Sequence, residues 1–129
     1  MNRIEARVNI LKKFKGNLVK FFDDLLEKLP NDEDLIYLRI MSEGPIPNLA
    51  DVLNTICQRV LPYQDLIKER NERFFIDCNT DLFADLQKDK VSKFKTIWTS
   101  PNLTEDDKEV IWEWFQFFLN ISLAWETCR

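Results

Sequence analysis

The sequence predicts an all-α fold: a single compact bundle of about six helices, with long helices at the amino and carboxy termini, in one domain spanning residues 1–129. Three observations lead there. Apolar residues recur at three- and four-residue steps along most of the chain, and no segment alternates apolar and polar residues for long enough to make a strand. Only two of the 129 residues are glycine, too few for tight-turned β architecture, a Gly-rich phosphate loop or flexible linkers. Hydrophobic residues make up 45% and charged residues 31%, a balance that builds a core rather than a disordered chain.

Residues 2–29 read as one helix. Ile4, Val8, Leu11, Leu18, Phe22, Leu25 and Leu29 form its expected inner stripe, with Lys12, Lys13, Lys20, Asp23 and Glu27 opposite. Gly16 falls on the polar side, and Pro30 ends the helix. Asn31 is the expected cap of a second helix, with Asp32, Glu33 and Asp34 in its first turn and Leu35, Leu38 and Met41 inward. Gly44-Pro45-Ile46-Pro47 reads as an irregular connection. A third helix follows to about Leu61, burying Leu49, Val52, Leu53, Ile56 and Val60. Pro62 interrupts it, and a short fourth helix is expected to run on to Phe75 or Ile76. Next come a short helix with Leu82, Phe83 and Leu86 inward, and one from Lys88 to Trp98 with Val91, Phe94 and Trp98 on one side. Ser100-Pro101-Asn102 breaks the latter. Thr104 caps the last helix, which has Glu105, Asp106 and Asp107 in its first turn and runs to about Thr127.

That last helix carries more apolar surface than one face can hold. At 100° per step Val110, Ile111, Trp114, Phe118, Ile121 and Trp125 share an arc of about 100°, an ordinary core face. Only Glu113, Gln116 and Asn120 mark a polar side. Trp112, Leu119 and Leu123 fall between the two, with Phe115 at the border. Such a helix is either central in its bundle or half-covered by another molecule, and both alternatives stand. On the second, Trp112, Phe115, Leu119 and Leu123 form the contact surface for a protein partner or for self-association.

Charge is unevenly spread. Residues 1–20 hold six basic residues against Glu5 alone, a balance of +5, while the remainder holds 12 basic and 21 acidic residues, a balance of −9. An acidic body argues against a broad nucleic-acid groove. Lys12, Lys13 and Lys20 on the first helix are the candidate phosphate contacts, and Lys88, Lys90, Lys93 and Lys95 are a second basic group. Nucleic acid is a partner these residues allow but do not favour. The first helix is also amphipathic enough to lie on a membrane, but its apolar side is needed by the bundle.

Several chemistries find no residues here. The chain has no histidine, which removes Ser-His and Cys-His pairs and every His-containing metal site. Cys57, Cys78 and Cys128 are widely spaced with no Cys-x-x-Cys, so reduced thiols and no zinc are expected. Asp32-Glu33-Asp34 and Glu105-Asp106-Asp107 sit where helix starts favour acids, and consecutive residues splay around a helix rather than converge on a metal. No cofactor is expected. The longest uncharged stretch, Trp114 to Trp125, is 12 residues, short of the ~20 that span a bilayer. With no secretory signal either, an intracellular protein without a transmembrane segment is expected.

The run Phe94-Lys-Thr-Ile-Trp98-Thr-Ser100, then Leu103-Thr104-Glu-Asp-Asp-Lys108 and Val110-Ile-Trp-Glu-Trp-Phe115, resembles the carboxy-terminal half of small helical proteins encoded by large nucleocytoplasmic DNA viruses of algae and amoebae. Phe21-Phe22-Asp23 and the Leu61-Pro62 break with Arg73-Phe74-Phe75 downstream extend it loosely over most of the chain. The resemblance supplies no catalytic residues. It implies a viral origin, a location in the infected-cell cytoplasm or the virion, and a structural, virion or minor-capsid-associated role. The expected function is therefore a non-enzymatic interaction or assembly protein. The alternative is a nucleic-acid-associated accessory protein using the basic face of the first helix.

Overall fold

The structure is a computed structural model that describes residues 2–78, 80–83 and 93–128. Its first helix, α1 (Arg3–Lys28), is capped by Asn2, whose side chain accepts from the Glu5 amide at 2.8 Å. After a turn at Pro30 come α2 (Glu33–Glu43) and α3 (Leu49–Val60). A 3₁₀ turn at Leu61–Tyr63 absorbs Pro62, and the chain continues as α4 (Gln64–Lys68), α5 (Arg73–Asp77), α6 (Lys93–Trp98) and α7 (Glu105–Thr127). The fold is an all-α bundle with long first and last helices, and the described residues form no strand. The expected inward position of Leu86 and Val91, and a helix start at Lys88, lie outside the described residues.

The core face of α1 differs from the expected stripe. Phe14, Leu18, Phe21 and Leu25, at steps of four, three and four, point inward with Phe22, whereas Ile4 and Val8 are 73% and 43% exposed. Element length is the cause. At 1.5 Å per residue α1 reaches about 39 Å and α2 only about 16 Å. The pairing of Arg39 with Asp23 at 2.8 Å, and the donation from Lys15 Nζ to the Ser42 carbonyl at 3.3 Å, hold α2 beside the second half of α1. The first turns of α1 run past its end. There Arg3 donates to the Cys128 carbonyl at 2.8 Å and Arg7 lies 3.8 Å from the centre of the Trp125 ring, so α1 is tied at its start to the end of α7.

Two boundaries also differ. The cap of α2 is Asp32, not Asn31: Asp32 Oδ1 accepts from the Leu35 amide at 3.1 Å, while residues 30 and 31 form the turn before it. The single expected helix up to residue 76 is split into α4 and α5. Arg70 adopts φ 53°, the Asn71 amide donates to the Leu66 carbonyl at 2.9 Å, and the Arg70 amide donates to that of Ile67 at 3.1 Å. This is the hydrogen-bond pattern of a helix ended by a left-handed residue, usually glycine. Residues 82 and 83 form a turn instead of the expected helix, with Leu82 and Phe83 both buried.

The core is aromatic and centres on α7. Phe21 lies 5.0 Å from Phe118 and 5.5 Å from Trp114, both edge-on. Phe75 stacks on Trp98 at 4.3 Å and lies 4.8 Å from Trp112. Phe115 joins these groups, 5.0 Å from Phe75, 5.5 Å from Phe94 and 5.8 Å from Phe118. Offset and edge-on pairs of this kind add about 0.5–1.5 kcal/mol each beyond area burial. The indole N–H groups of Trp114 and Trp125 donate to Asp24 Oδ2 at 2.7 Å and Asn54 Oδ1 at 2.8 Å. Both indoles thus lie against the bundle with their polar edge satisfied. Val110, expected in the core face of α7, is 40% exposed and lines a cleft beside α1.

The start of α7 is a reciprocal cap. The Asp107 amide donates to Thr104 Oγ1 at 3.1 Å and the Thr104 amide donates to Asp107 Oδ2 at 2.9 Å, while Lys28 Nζ pairs with Asp107 Oδ1 at 3.1 Å. Desolvation raises the Asp107 carboxyl, but bonds from Thr104 and Lys28 outweigh it and leave the group below its usual value. A depressed folded pKa contributes stability that is complete above the unfolded value of about 3.9 and is lost as pH falls through the lower folded value. Asp107→Asn is therefore expected to lower the melting temperature at pH 7, with the gap to wild type closing below about pH 4; a pH series of thermal melts reads this directly. At the α4–α5 junction, Arg70→Gly and Arg70→Ala both lose the pair with Glu109 seen at 2.8 Å. Chemical denaturation is expected to find the alanine variant less stable than the glycine variant by about 1–2 kcal/mol, the cost of a left-handed Cβ.

Candidate interaction surface

Three of the four residues expected at a contact surface lie inside the molecule. Trp112 is 4% exposed, Phe115 0% and Leu119 1%, while Leu123 is 38% exposed. Of the two alternatives for α7, the central helix is the one realised, and Trp112, Phe115 and Leu119 are core residues. The short elements explain it. Phe75 of α5 and Trp98 of α6 pack on Trp112, Phe74 and Phe94 pack on Phe115, and α4 runs alongside α7, closing the side that α1 and α3 leave open.

Lys12, Lys13 and Lys20 are exposed on α1, and none pairs with a carboxylate among the described residues. At 100° per residue Lys13 and Lys20 lie about 20° apart, but Lys12 is about 100° from Lys13. The three do not converge on one phosphate. Of the second basic group, Lys95 is exposed, Lys88 and Lys90 lie outside the described residues, and so does the side chain of Lys93.

A cleft of about 140 Å³ opens between α1 and α7, with Leu25, Ile97, Leu103 and Ile111 in its wall. This is small beside the ~300–1,000 Å³ of ordinary ligand pockets. Its polar neighbours already serve the fold: Asp24 accepts from Trp114, and Lys28 pairs with Asp107. Among the described residues no three His, Cys, Asp or Glu side chains are placed to hold a metal ion, and no helix is long and apolar enough to cross a membrane. The acidic runs act as helix starts, through Asp32 and Asp107. Cys57, Cys78 and Cys128 form no disulfide, and burial together with neighbouring Asp77 raises the Cys78 thiol against the opposing pull of Arg73, the reverse of an activated nucleophile.

An uncovered apolar surface lies on α2. Leu35, Leu38 and Ser42 face the core, and on the other side Ile36, Tyr37 and Ile40 are 38%, 46% and 61% exposed. Glu33, Tyr37 and Ile40 follow one another at steps of four and three, as do Ile36, Ile40 and Glu43, so a glutamate lies at each end of the apolar face, that of Glu43 paired with Arg39. Sequence reasoning missed this site. The signal was present: 100° steps applied to EDLIYLRIMSE place apolar residues on both sides of a helix only 11 residues long.

No family model, curated protein or solved structure matches this chain. In this fold Phe94, Ile97, Trp98, Ile111, Trp112 and Phe115 are all buried.

Leu119→Glu is expected to unfold the protein or to cost about 3–5 kcal/mol, because it buries an unpaired carboxylate. Leu123→Glu, four residues on and 38% exposed, is expected to cost markedly less, about 1 kcal/mol. Urea melts of the two variants check the assignment of α7 as central.

Proposed function

We propose that this protein is a non-enzymatic interaction and assembly domain that docks a protein partner on the outer face of α2. The observation that carries the reading is Ile36, Tyr37 and Ile40 side by side in solvent, on a helix whose opposite side already completes the core. Their exposure adds nothing to folding, and covering a large apolar side chain fully gains about 1.5–3 kcal/mol. Tyrosine is among the residue types enriched at interface centres, and the carboxylates of Glu33 and Glu43 would form a polar rim. The viral resemblance suggests a setting for this role, in the virion or in the cytoplasm of an infected cell.

A photo-cross-linking residue placed at Tyr37, in cells that natively make the protein, tests the proposal. An adduct is expected that disappears with Ile40→Glu and is not formed from the exposed position of Glu113 on α7. Ile40→Glu is expected to leave the melting temperature within a few degrees of wild type, since the side chain is 61% exposed. An adduct insensitive to Ile40→Glu, or none at all, overturns the reading.

A further inference from the structure

Two polar bridges cross from α1 to α7 at the cleft between them: Lys28 pairs with Asp107 at 3.1 Å, and the Trp114 indole N–H donates to Asp24 at 2.7 Å. Asp24 and Lys28 are one turn apart on α1, and Asp107 and Trp114 two turns apart on α7. The bridges hold the opening at a set width before anything enters it, which lowers the cost of binding. The wall is otherwise apolar, with Leu25, Ile97 and Ile111 buried and Val110 40% exposed. At about 140 Å³ the cleft is too small for a nucleotide or a peptide segment. It matches the apolar cavity of about 150 Å³ that takes up a single benzene ring.

Charge at the cleft selects what the ring carries. Asp24, Glu27 and Asp107 line it with the single ammonium of Lys28. Lys28 and Asp107 are spent on each other, and Asp107 also accepts from the Thr104 amide. Asp24 gives one oxygen to the Trp114 indole. Its other oxygen and the whole Glu27 carboxylate take no hydrogen bond or ion pair among the described residues. Lys20, one turn before Asp24, pairs with neither. Asp24 and Glu27 stand at i and i+3 on α1, so their side chains are neighbours of like charge. An anion would be repelled here, whereas a primary ammonium brings three donors and no acceptor. We infer that the cleft binds a small primary amine borne on a single apolar ring, the ring between α1 and α7 and the ammonium toward Asp24 and Glu27. None of these residues lies on α2, so the inference stands apart from the docking reading above.

Benzylamine is the probe, titrated into the isotope-labelled full chain and followed by NMR at the Trp114 indole N–H, a signal assigned with Trp114→Phe. A saturable shift of that signal is expected. Benzyl alcohol, which keeps the ring without the charge, is expected to bind about three- to fivefold more weakly, the scale of one solvent-exposed ion pair. n-Butylamine, which keeps the charge without the ring, is also expected to bind more weakly than benzylamine. Glu27→Gln, at an exposed position, is expected to narrow the preference for benzylamine over benzyl alcohol and to leave the alcohol unchanged. Val110→Phe, which fills the cleft from a position 40% exposed, is expected to abolish binding of all three while the protein melts within a few degrees of wild type. A signal that benzylamine does not move overturns the inference. So does equal binding of benzylamine and either analogue, a preference untouched by Glu27→Gln, or binding that survives Val110→Phe.

Discussion

Enclosure of α7 is the constraint on which the rest of the structure depends. A helix of 23 residues with Ile111, Trp112, Phe115, Phe118, Leu119, Ile121 and Trp125 buried has to be covered around most of its circumference. Two long neighbours cannot do that. The remaining surface is closed by α4, α5 and α6, each of six residues or fewer, which would have little stability as isolated helices. They persist because Phe74, Phe75, Phe94 and Trp98 gain a large aromatic contact on docking against Trp112 and Phe115. The chain breaks between them follow from that task. A straight helix through residue 70 would carry Phe74 and Phe75 onward along one axis, whereas the left-handed Arg70 turns the chain back across α7.

With the short elements used on α7, no described element covers the outer side of α2. It is held on one side by α1 and open on the other, and the mismatch in length between these two helices exposes the start of α1 as well. Both uncovered faces therefore trace to the same allocation of material. Polar groups elsewhere are largely committed to holding the fold: Asp32, Thr104 and Asp107 to helix starts, Asp24 and Asn54 to indole N–H groups, Arg3 and Arg7 to the end of α7. A site with convergent acid, base and nucleophile has no counterpart among the described residues, whereas apolar faces at the periphery do.

Much of the architecture could be read from local pattern alone. The all-α class, the two long terminal helices, the ends at Pro30 and Pro62, and the Thr104 cap depend on interactions within about four residues, or on the missing N–H and fixed φ of proline. The break at Arg70 was not legible, because an arginine in a left-handed conformation carries no glycine signature. The cap of α2 shifted by one residue because Asn31 and Asp32 are both good caps and only the turn geometry chooses between them.

The sequence by itself determined the all-α class and the two long terminal helices, that α7 is apolar nearly all round, and that the chain lacks the residue types for histidine-based chemistry. Only the tertiary structure decided which apolar surfaces are covered. Periodicity assigns each residue an angle on its own helix but says nothing of what lies opposite, since that depends on the lengths and crossings of elements distant in sequence. Trp112 and Leu119 were thus open to two readings until α4, α5 and α6 were seen against them. By the same physics Ile4, Val8, Ile36 and Ile40 carry the apolar pattern of core positions yet stand in solvent, because no other element of the described fold reaches them.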